Sequence, residues 1–194
     1  FLSRDKHALI DDMELVLTDK DGAHHKLKWI WYSETFYELQ GPAGNSIMAK
    51  QQNAIAINAL KDALIEKFIG FQSIAFLEKR KQLAYRLKSL IENQKITGDI
   101  DITTIKRSQE YNELVRFYKS SLLWKAGEYS AVAKIHVVDT NETIEHCFNF
   151  SLSELEIDTL NKNIEFAISV IDYEFITPDQ QLNGAWTWVN SSIN

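Results

Sequence analysis

The spacing of apolar and polar residues predicts a β-hairpin near the start of the chain. Residues 13–32 contain two β-prone apolar runs that flank the turn sequence Asp19–Gly22. Glycine readily adopts the positive φ that follows a type I turn, so this turn sets the register of the hairpin. That register places Leu15 opposite Leu27 on one face and pairs unlike charges on the other.

A second hairpin is predicted over residues 129–150, around Thr140 and Asn141. Asparagine tolerates the left-handed backbone conformation that a tight turn needs. With a two-residue loop, one face of this hairpin is apolar and the other is mostly polar, with His136 facing Glu145 on the polar face. We interpret these two residues as a cross-strand ion pair at the surface, with an acid–base pair as the alternative.

Between the hairpins, residues 46–124 are predicted to form a helical region. From Ser46 to about Lys95 the residues favour helices and include no proline. Gly70 marks the one break in this stretch. Roughly fifty helical residues would extend about 75 Å, so we expect two helices, or one helix that projects and packs against a partner. A further helix is predicted over Thr104–Trp124, with its inward face separate from Phe117 and Trp124.

The last predicted helix covers residues 153–173 and begins at a capping box formed by Ser153 and Glu156. It has two apolar faces, and a helix of this kind either lies inside its own domain or contacts a partner. The first face contains Ile157, Leu160, Ile164, Ala167, Ile168 and Ile171, and the second contains Leu155, Phe166, Val170 and Tyr173. Farther on, Ala185–Val189 is predicted to be a short strand or an aromatic anchor that uses Trp186 and Trp188.

These elements predict one α+β domain over residues 1–194. We expect a small antiparallel sheet built from two β-hairpins, packed by three to four helices that include a long central helical region. With 45% hydrophobic residues the chain can bury a core. It has a single cysteine, Cys147, no secretory signal in Phe1–Asp12 and no apolar run of about 18 residues, which together favour a cytoplasmic protein without a membrane span.

Charge is distributed unevenly, and this distribution suggests an alternative function. The net charge is −3 over residues 1–78, +6 over residues 79–125 and −9 over residues 126–194. The basic middle could bind nucleic acid, or the basic and acidic regions could face each other within one fold or between copies. The candidate phosphate contacts are Lys79, Arg80, Lys81, Arg86, Lys88, Lys106 and Arg107.

Catalytic and cofactor motifs are missing from the sequence. It contains no glycine-rich phosphate loop, no dinucleotide-binding fingerprint and no nucleophile elbow. Cys147 falls in the middle of a predicted strand, which disfavours a nucleophile. His24 and His25 are adjacent in a strand and point to opposite faces, so they cannot share one metal. We therefore predict no catalytic residue, no metal and no cofactor, and a protein that is more consistent with binding than with catalysis.

The favoured function is a non-enzymatic protein–protein interaction or assembly module. Its partner is expected to be a second copy of the chain or another protein, bound through apolar helix faces that the core does not use. The candidate contact residues are Phe117, Trp124, Leu155, Phe166, Val170 and Tyr173. The alternative is an accessory protein that binds nucleic-acid phosphates through residues 79–125.

Overall fold

The computed structural model describes residues 8–41, 44–59, 67–98, 101–177, 182, 186, 187 and 189. Within these residues the protein has an α+β fold with seven strands in one antiparallel sheet and four helices, which confirms the predicted fold class. The strands are β1 (Ala8–Thr18), β2 (His24–Gly41), β3 (Gly44–Asn53), β4 (Ile57–Ala59), β5 (Phe68–Gln72), β6 (Gly127–Val137) and β7 (Glu142–Leu152). The helices are α1 (Ile74–Thr97), α2 (Ile102–Arg107), α3 (Gln109–Ser120) and α4 (Glu154–Phe175).

The described residues group into two compact units. Unit 1 lies within Phe1–Ile74 and Tyr129–Asn149, and unit 2 lies within Ala75–Glu128 and Phe150–Ile193. The strand order is β3-β2-β1-β6-β7, with β4 paired to β1 and β5 paired to β2. The sheet is therefore larger than the two predicted hairpins, because β3, β4 and β5 add to them.

The first hairpin has the predicted register. Leu15 lies opposite Leu27, and Glu14 lies opposite Lys28. Gly22 has a φ of 78°, and its N–H donates to the carbonyl oxygen of residue 19 at 2.9 Å, as the turn requires.

Asp19 holds this turn through its side chain. Only 5% of the residue is exposed, and its Oδ1 accepts hydrogen bonds from the N–H groups of Asp21 and Ala23, at 3.0 and 2.9 Å. The ring Nε2 of His25 lies 3.4 Å from Asp19 Oδ2. A short carboxylate that bonds the backbone two residues ahead is a common device for fixing a turn.

The helical prediction is wrong for residues 46–53, 57–59 and 68–72, whereas residues 60–66 lie outside the described part of the chain. The three described segments belong to β3, β4 and β5, and β3 pairs with the second part of β2, from Trp31 opposite Asn53 to Gly41 opposite Gly44. Helix propensities of common residues differ by less than about 0.7 kcal/mol each, so pairing with a neighbouring strand overrides them. The 18 residues of β2 provide that neighbour for both β3 and β5.

Gly70 is a strand residue instead of a helix break. It lies opposite Trp31 in the β2–β5 pair, and a Cβ placed on it would lie 2.1 Å from Cε2 of the Trp31 ring. The indole therefore occupies the space over the glycine backbone. Nearby, the buried core of unit 1 contains Met13, Trp29 and Ile57.

The second hairpin forms, but its turn differs from the prediction. β6 and β7 are neighbours in the sheet, and β6 ends at Val137 while β7 begins at Glu142. The turn begins at Val138, whose carbonyl oxygen accepts a hydrogen bond from Asn141 N–H at 3.1 Å. Asn141 has a φ of 54°, so the expectation that it adopts the left-handed conformation is confirmed, although the loop is longer than two residues.

In unit 2, the helix predicted over residues 104–124 is two shorter helices. The backbone leaves the helical conformation at Ser108, which has a ψ of 156° and separates α2 from α3. Its hydroxyl oxygen accepts a hydrogen bond from Tyr111 N–H at 3.2 Å, so it caps α3. Serine favours such caps because its side chain replaces a missing backbone partner. The helix then ends at Ser120, before Trp124.

Apolar side chains of all four helices supply the core of unit 2. This cluster contains Leu83, Leu87, Ile91, Ile105, Leu114, Ile171 and Ile176, with Leu90, Tyr111, Phe117, Tyr118 and Phe175 packed against it. Leu87 and Ile105 are fully buried. Residues spaced three or four apart on each helix therefore fill one interior, as the sequence pattern indicates.

Candidate interaction surface on helix α4

Helix α4 begins where the sequence predicts. The Ser153 hydroxyl accepts a hydrogen bond from Glu156 N–H at 3.3 Å, and Glu156 Oε2 accepts one from Ser153 N–H at 2.7 Å. These reciprocal bonds satisfy two backbone donors that a helix start leaves unpaired. The hydrogen bond from the Ser153 backbone also lowers the pKa of the Glu156 carboxyl below its ordinary value.

The first apolar face of α4 is buried or half-buried along its length. Ile157, Ala167 and Ile171 are each less than 10% exposed, and Ile171 belongs to the core cluster of unit 2. Burial therefore identifies this face as the inward one. Its burial fixes the rotation of the helix, and the second apolar face then points away from the residues of this stripe.

The second apolar face of α4 is partly open to solvent. We use this name for Leu155, Phe166, Val170 and Tyr173. Leu155 is 76% exposed and Tyr173 is 39% exposed, whereas Phe166 and Val170 are half-buried. The face therefore has two exposed apolar ends and a more protected middle.

A short segment of the same chain contacts the middle of this face. The ring of Trp186 meets the ring of Phe166 edge to face, with centroids 5.3 Å apart and planes at 84°. Beside it, Asn163 Nδ2 donates a hydrogen bond to Thr187 O at 2.8 Å, and Thr187 N–H donates to Asn163 Oδ1 at 2.8 Å. One side-chain amide thus pairs with both main-chain groups of one residue.

Phe117 and Trp124 do not form the separate face that the sequence suggests. Phe117 packs against the core cluster and stacks on Phe76, with ring centroids 5.0 Å apart. Phe117 therefore belongs to the inward side of α3, where it meets Phe76 of α1. Trp124 lies beyond the end of α3, is half-buried and meets Phe150 edge to face at 6.2 Å.

A polar contact links three helices of unit 2. The Tyr111 hydroxyl donates to Asp172 Oδ1 at 2.7 Å, and Lys106 Nζ lies 2.6 Å from Asp172 Oδ2. Burial and the hydrogen bond to this carboxylate raise the pKa of the Tyr111 phenol far above its ordinary value. The contact joins α2, α3 and α4 next to the apolar core, so it holds the three helices together.

The structure distributes the candidate phosphate contacts over two helices and pairs several of them with acids. Lys79, Arg80, Lys81, Arg86 and Lys88 are exposed on α1, and Lys106 and Arg107 are exposed on α2. Arg86 lies 2.6 Å from Glu113, and Lys88 lies 3.8 Å from Glu92. A hydrogen bond from Gln109 and the charge of Arg86 lower the pKa of Glu113, which keeps this carboxylate ionised.

His136 forms an ion pair, but with a different partner from the one predicted. Its Nδ1 lies 2.6 Å from Oδ1 of Asp11 on β1, while Glu145 lies 3.1 Å from Lys134. The hydrogen bond to Asp11 raises the pKa of His136 and lowers that of Asp11. The predicted register paired β6 only with β7 and did not include β1, which lies on the other side of β6.

The remaining chemistry-bearing residues of unit 1 are dispersed. His24 Nδ1 lies 2.9 Å from the Thr18 hydroxyl, whereas His25 lies beside Asp19, so the two rings have separate partners. Cys147 is exposed in β7. Among the described residues, no group of three or more histidine, cysteine, aspartate or glutamate side chains is arranged to hold a metal ion.

The sequence pattern missed the contact between Asn163 and Thr187. An asparagine on the polar side of a helix carries no signal that its amide will meet a distant backbone. The expectation of an aromatic anchor at Ala185–Val189 is consistent with the Trp186 contact, while Trp188 lies outside the described residues.

Two further findings bear on function. No helix in the described part of the chain combines the length and the apolar character needed to cross a membrane. Comparisons with protein-family models, curated proteins and solved structures find no match to this chain.

Proposed function

We propose that this protein is a non-enzymatic interaction module that self-associates through the second apolar face of α4. The observation that carries the proposal is the exposure of this face on a helix whose other face is already buried. Leu155 is 76% exposed at one end of the face, and Tyr173 is 39% exposed at the other. Covering apolar surface contributes about 25 cal/mol per Å², so a partner gains free energy by covering these side chains.

The charges of unit 2 support a second copy as the partner. The exposed side of α1 carries lysine and arginine, whereas α4 exposes Glu154, Asp158 and Glu165. A second copy therefore carries both signs of charge and can offer the basic side of its α1 to the acidic side of α4. A closed pair in which both copies use the same face also limits assembly to a dimer.

Nucleic-acid binding has less support as the function. Arg86, Lys88 and Lys106 each lie within 4 Å of a carboxylate of the same chain. Phosphate binding would have to compete with those intramolecular partners. In addition, Phe117, which could have stacked on a base, packs against the core.

Light scattering tests the proposed self-association. We expect the wild-type chain to have a native mass that is a multiple of 22.4 kDa. The double variant Leu155→Ser/Tyr173→Ser should have the monomer mass, because it removes the two exposed ends of the face. Circular dichroism should show unchanged helix content, since neither side chain is buried.

The matched control is Ile96→Ser. Ile96 is 83% exposed on α1, so this variant removes a comparable apolar side chain from a different surface. Its native mass should equal that of the wild type. A monomeric wild type, or a double variant that keeps the wild-type mass, would contradict the proposal. A mass that increases only when a short DNA duplex is added would favour the nucleic-acid alternative.

A further inference from the structure

The middle of the second apolar face has the features of a peptide-binding site. Asn163 forms two hydrogen bonds of 2.8 Å with the N–H and the C=O of Thr187. Extended strands exchange the same pair of bonds with a neighbouring strand. The amide of Asn163 therefore contacts only main-chain groups of Thr187, so these two bonds do not depend on the side chain at that position.

The ring of Phe166 adds a preference for an aromatic side chain. Trp186 places its ring edge to face on Phe166, an arrangement that is worth about 0.5–1.5 kcal/mol beyond the area it buries. Trp186 is nevertheless 53% exposed. Residues 186 and 187, which the structure describes, are held by this ring contact and by the two hydrogen bonds of Asn163, and such contacts can be exchanged.

We infer that the second apolar face of α4 binds an extended peptide segment that carries an aromatic residue, and that Trp186 and Thr187 of the chain itself compete for the same site. The inference rests on the proposed function, because it names the kind of partner segment that this face takes. A second copy of the chain can supply such a segment, since it carries the same two residues.

Chain length is compatible with such competition. Asn163 precedes the end of α4 at Phe175 by twelve residues, which is about 18 Å along a helix. The nine positions from Thr177 to Trp186 could span about 30 Å when extended, which is enough to return to Asn163. A tethered segment has a local concentration in the millimolar range, so it occupies the site until a partner displaces it.

A peptide titration on the full-length chain tests the inference. The probe is a fluorescently labelled peptide with the sequence of residues 184–190, measured by anisotropy. The full-length Trp186→Ala variant should bind it about tenfold or more tightly than the wild type, because the wild-type segment competes for the site. Adding Asn163→Ala to that variant should abolish binding.

Two variant peptides provide the matched control. A peptide with Thr187→Pro lacks the N–H that Asn163 accepts and should not bind, whereas a peptide with Thr187→Ala keeps both main-chain groups and should bind like the original. Equal binding of these two peptides would overturn the recognition of backbone. Equal affinity of wild type and Trp186→Ala would overturn the competition.

The outcomes also separate this inference from the proposed function. A wild-type chain of monomer mass whose Trp186→Ala variant still discriminates the two peptides would refute self-association and leave the peptide site standing. A chain that assembles but does not discriminate the peptides would refute the peptide site alone.

Discussion

At the scale of single residues, the position of the Trp31 ring depends on the absence of a side chain at Gly70. The Trp31 ring lies over the glycine backbone, and a Cβ at position 70 would lie 2.1 Å from Cε2. Contacts this short are not found in folded proteins, so Gly70→Ala must displace either the indole or β5. We expect this variant to lose about 1–3 kcal/mol of unfolding free energy, measured by urea denaturation.

A double-mutant cycle isolates the cause of that loss. In a Trp31→Ala background the space above residue 70 is open, so adding Gly70→Ala should cost much less than it does in the wild type. An equal cost in both backgrounds would mean that the indole is not the obstacle and that backbone conformation or strand entropy matters instead.

The two glycines show which residue-scale features a sequence can reveal. Gly22 was predictable because its role depends on four consecutive residues and on its own positive φ of 78°. Gly70 was interpreted as a helix break because its role depends on Trp31, which is distant in the sequence and adjacent only once β2 and β5 pair. Asn163 was missed for the same reason, since Thr187 lies 24 residues away.

At the scale of elements, the contact among Lys106, Asp172 and Tyr111 joins three helices. Tyr111→Phe removes one hydrogen bond to a charged group without changing the ring, so it should cost about 1–2 kcal/mol at pH 7. The measurement is the urea midpoint, followed by circular dichroism. Asp172→Asn should cost at least as much, because it also weakens the ion pair with Lys106.

The dependence of this contact on pH has a defined sign. Burial and the bond to Asp172 raise the pKa of Tyr111 in the folded state, whereas the unfolded phenol titrates near 10. The stabilisation is therefore fully present below pH 10 and is lost as the pH rises above it, toward the folded pKa. The advantage of the wild type over Tyr111→Phe should shrink between pH 10 and pH 12, and a constant advantage would contradict this account.

Elements were predictable where one periodic pattern decided them. The first apolar face of α4 recurs every three or four residues, and the helix that this pattern predicts forms and buries Ile157, Ala167 and Ile171. β3 has no comparable pattern: its residues are compatible with a helix, and only pairing with β2 makes them a strand. The break between α2 and α3 at Ser108 arises because the Ser108 side chain caps α3 instead of continuing one long helix. The periodicity of apolar residues gives no signal of such a cap.

At the scale of the whole molecule, charge alone does not determine what the protein binds. The net charge of −6 combines a balance of +6 over residues 79–125 and of −9 over residues 126–194. In unit 2, parts of these two regions neutralise each other, as the pair of Lys106 and Asp172 illustrates. Arg86, Lys88 and Lys106 are thus paired with carboxylates of the same chain, and the proposed function rests on the apolar surface of α4.

Self-association links the proposed contact face to the stability of the whole chain. If copies bind one another only when folded, the thermal midpoint must rise with protein concentration, because assembly withdraws folded chains from the unfolding equilibrium. Each tenfold increase in concentration should add up to about 1.4 kcal/mol for each dimer. Leu155→Ser/Tyr173→Ser should lose this dependence while keeping the midpoint that the wild type approaches at low concentration, and Ile96→Ser should retain it. The measurement is differential scanning fluorimetry over two decades of protein concentration. A wild-type midpoint that does not change over this range would show that folding and association are not linked. The apolar ends of α4 would then need a partner other than a second copy.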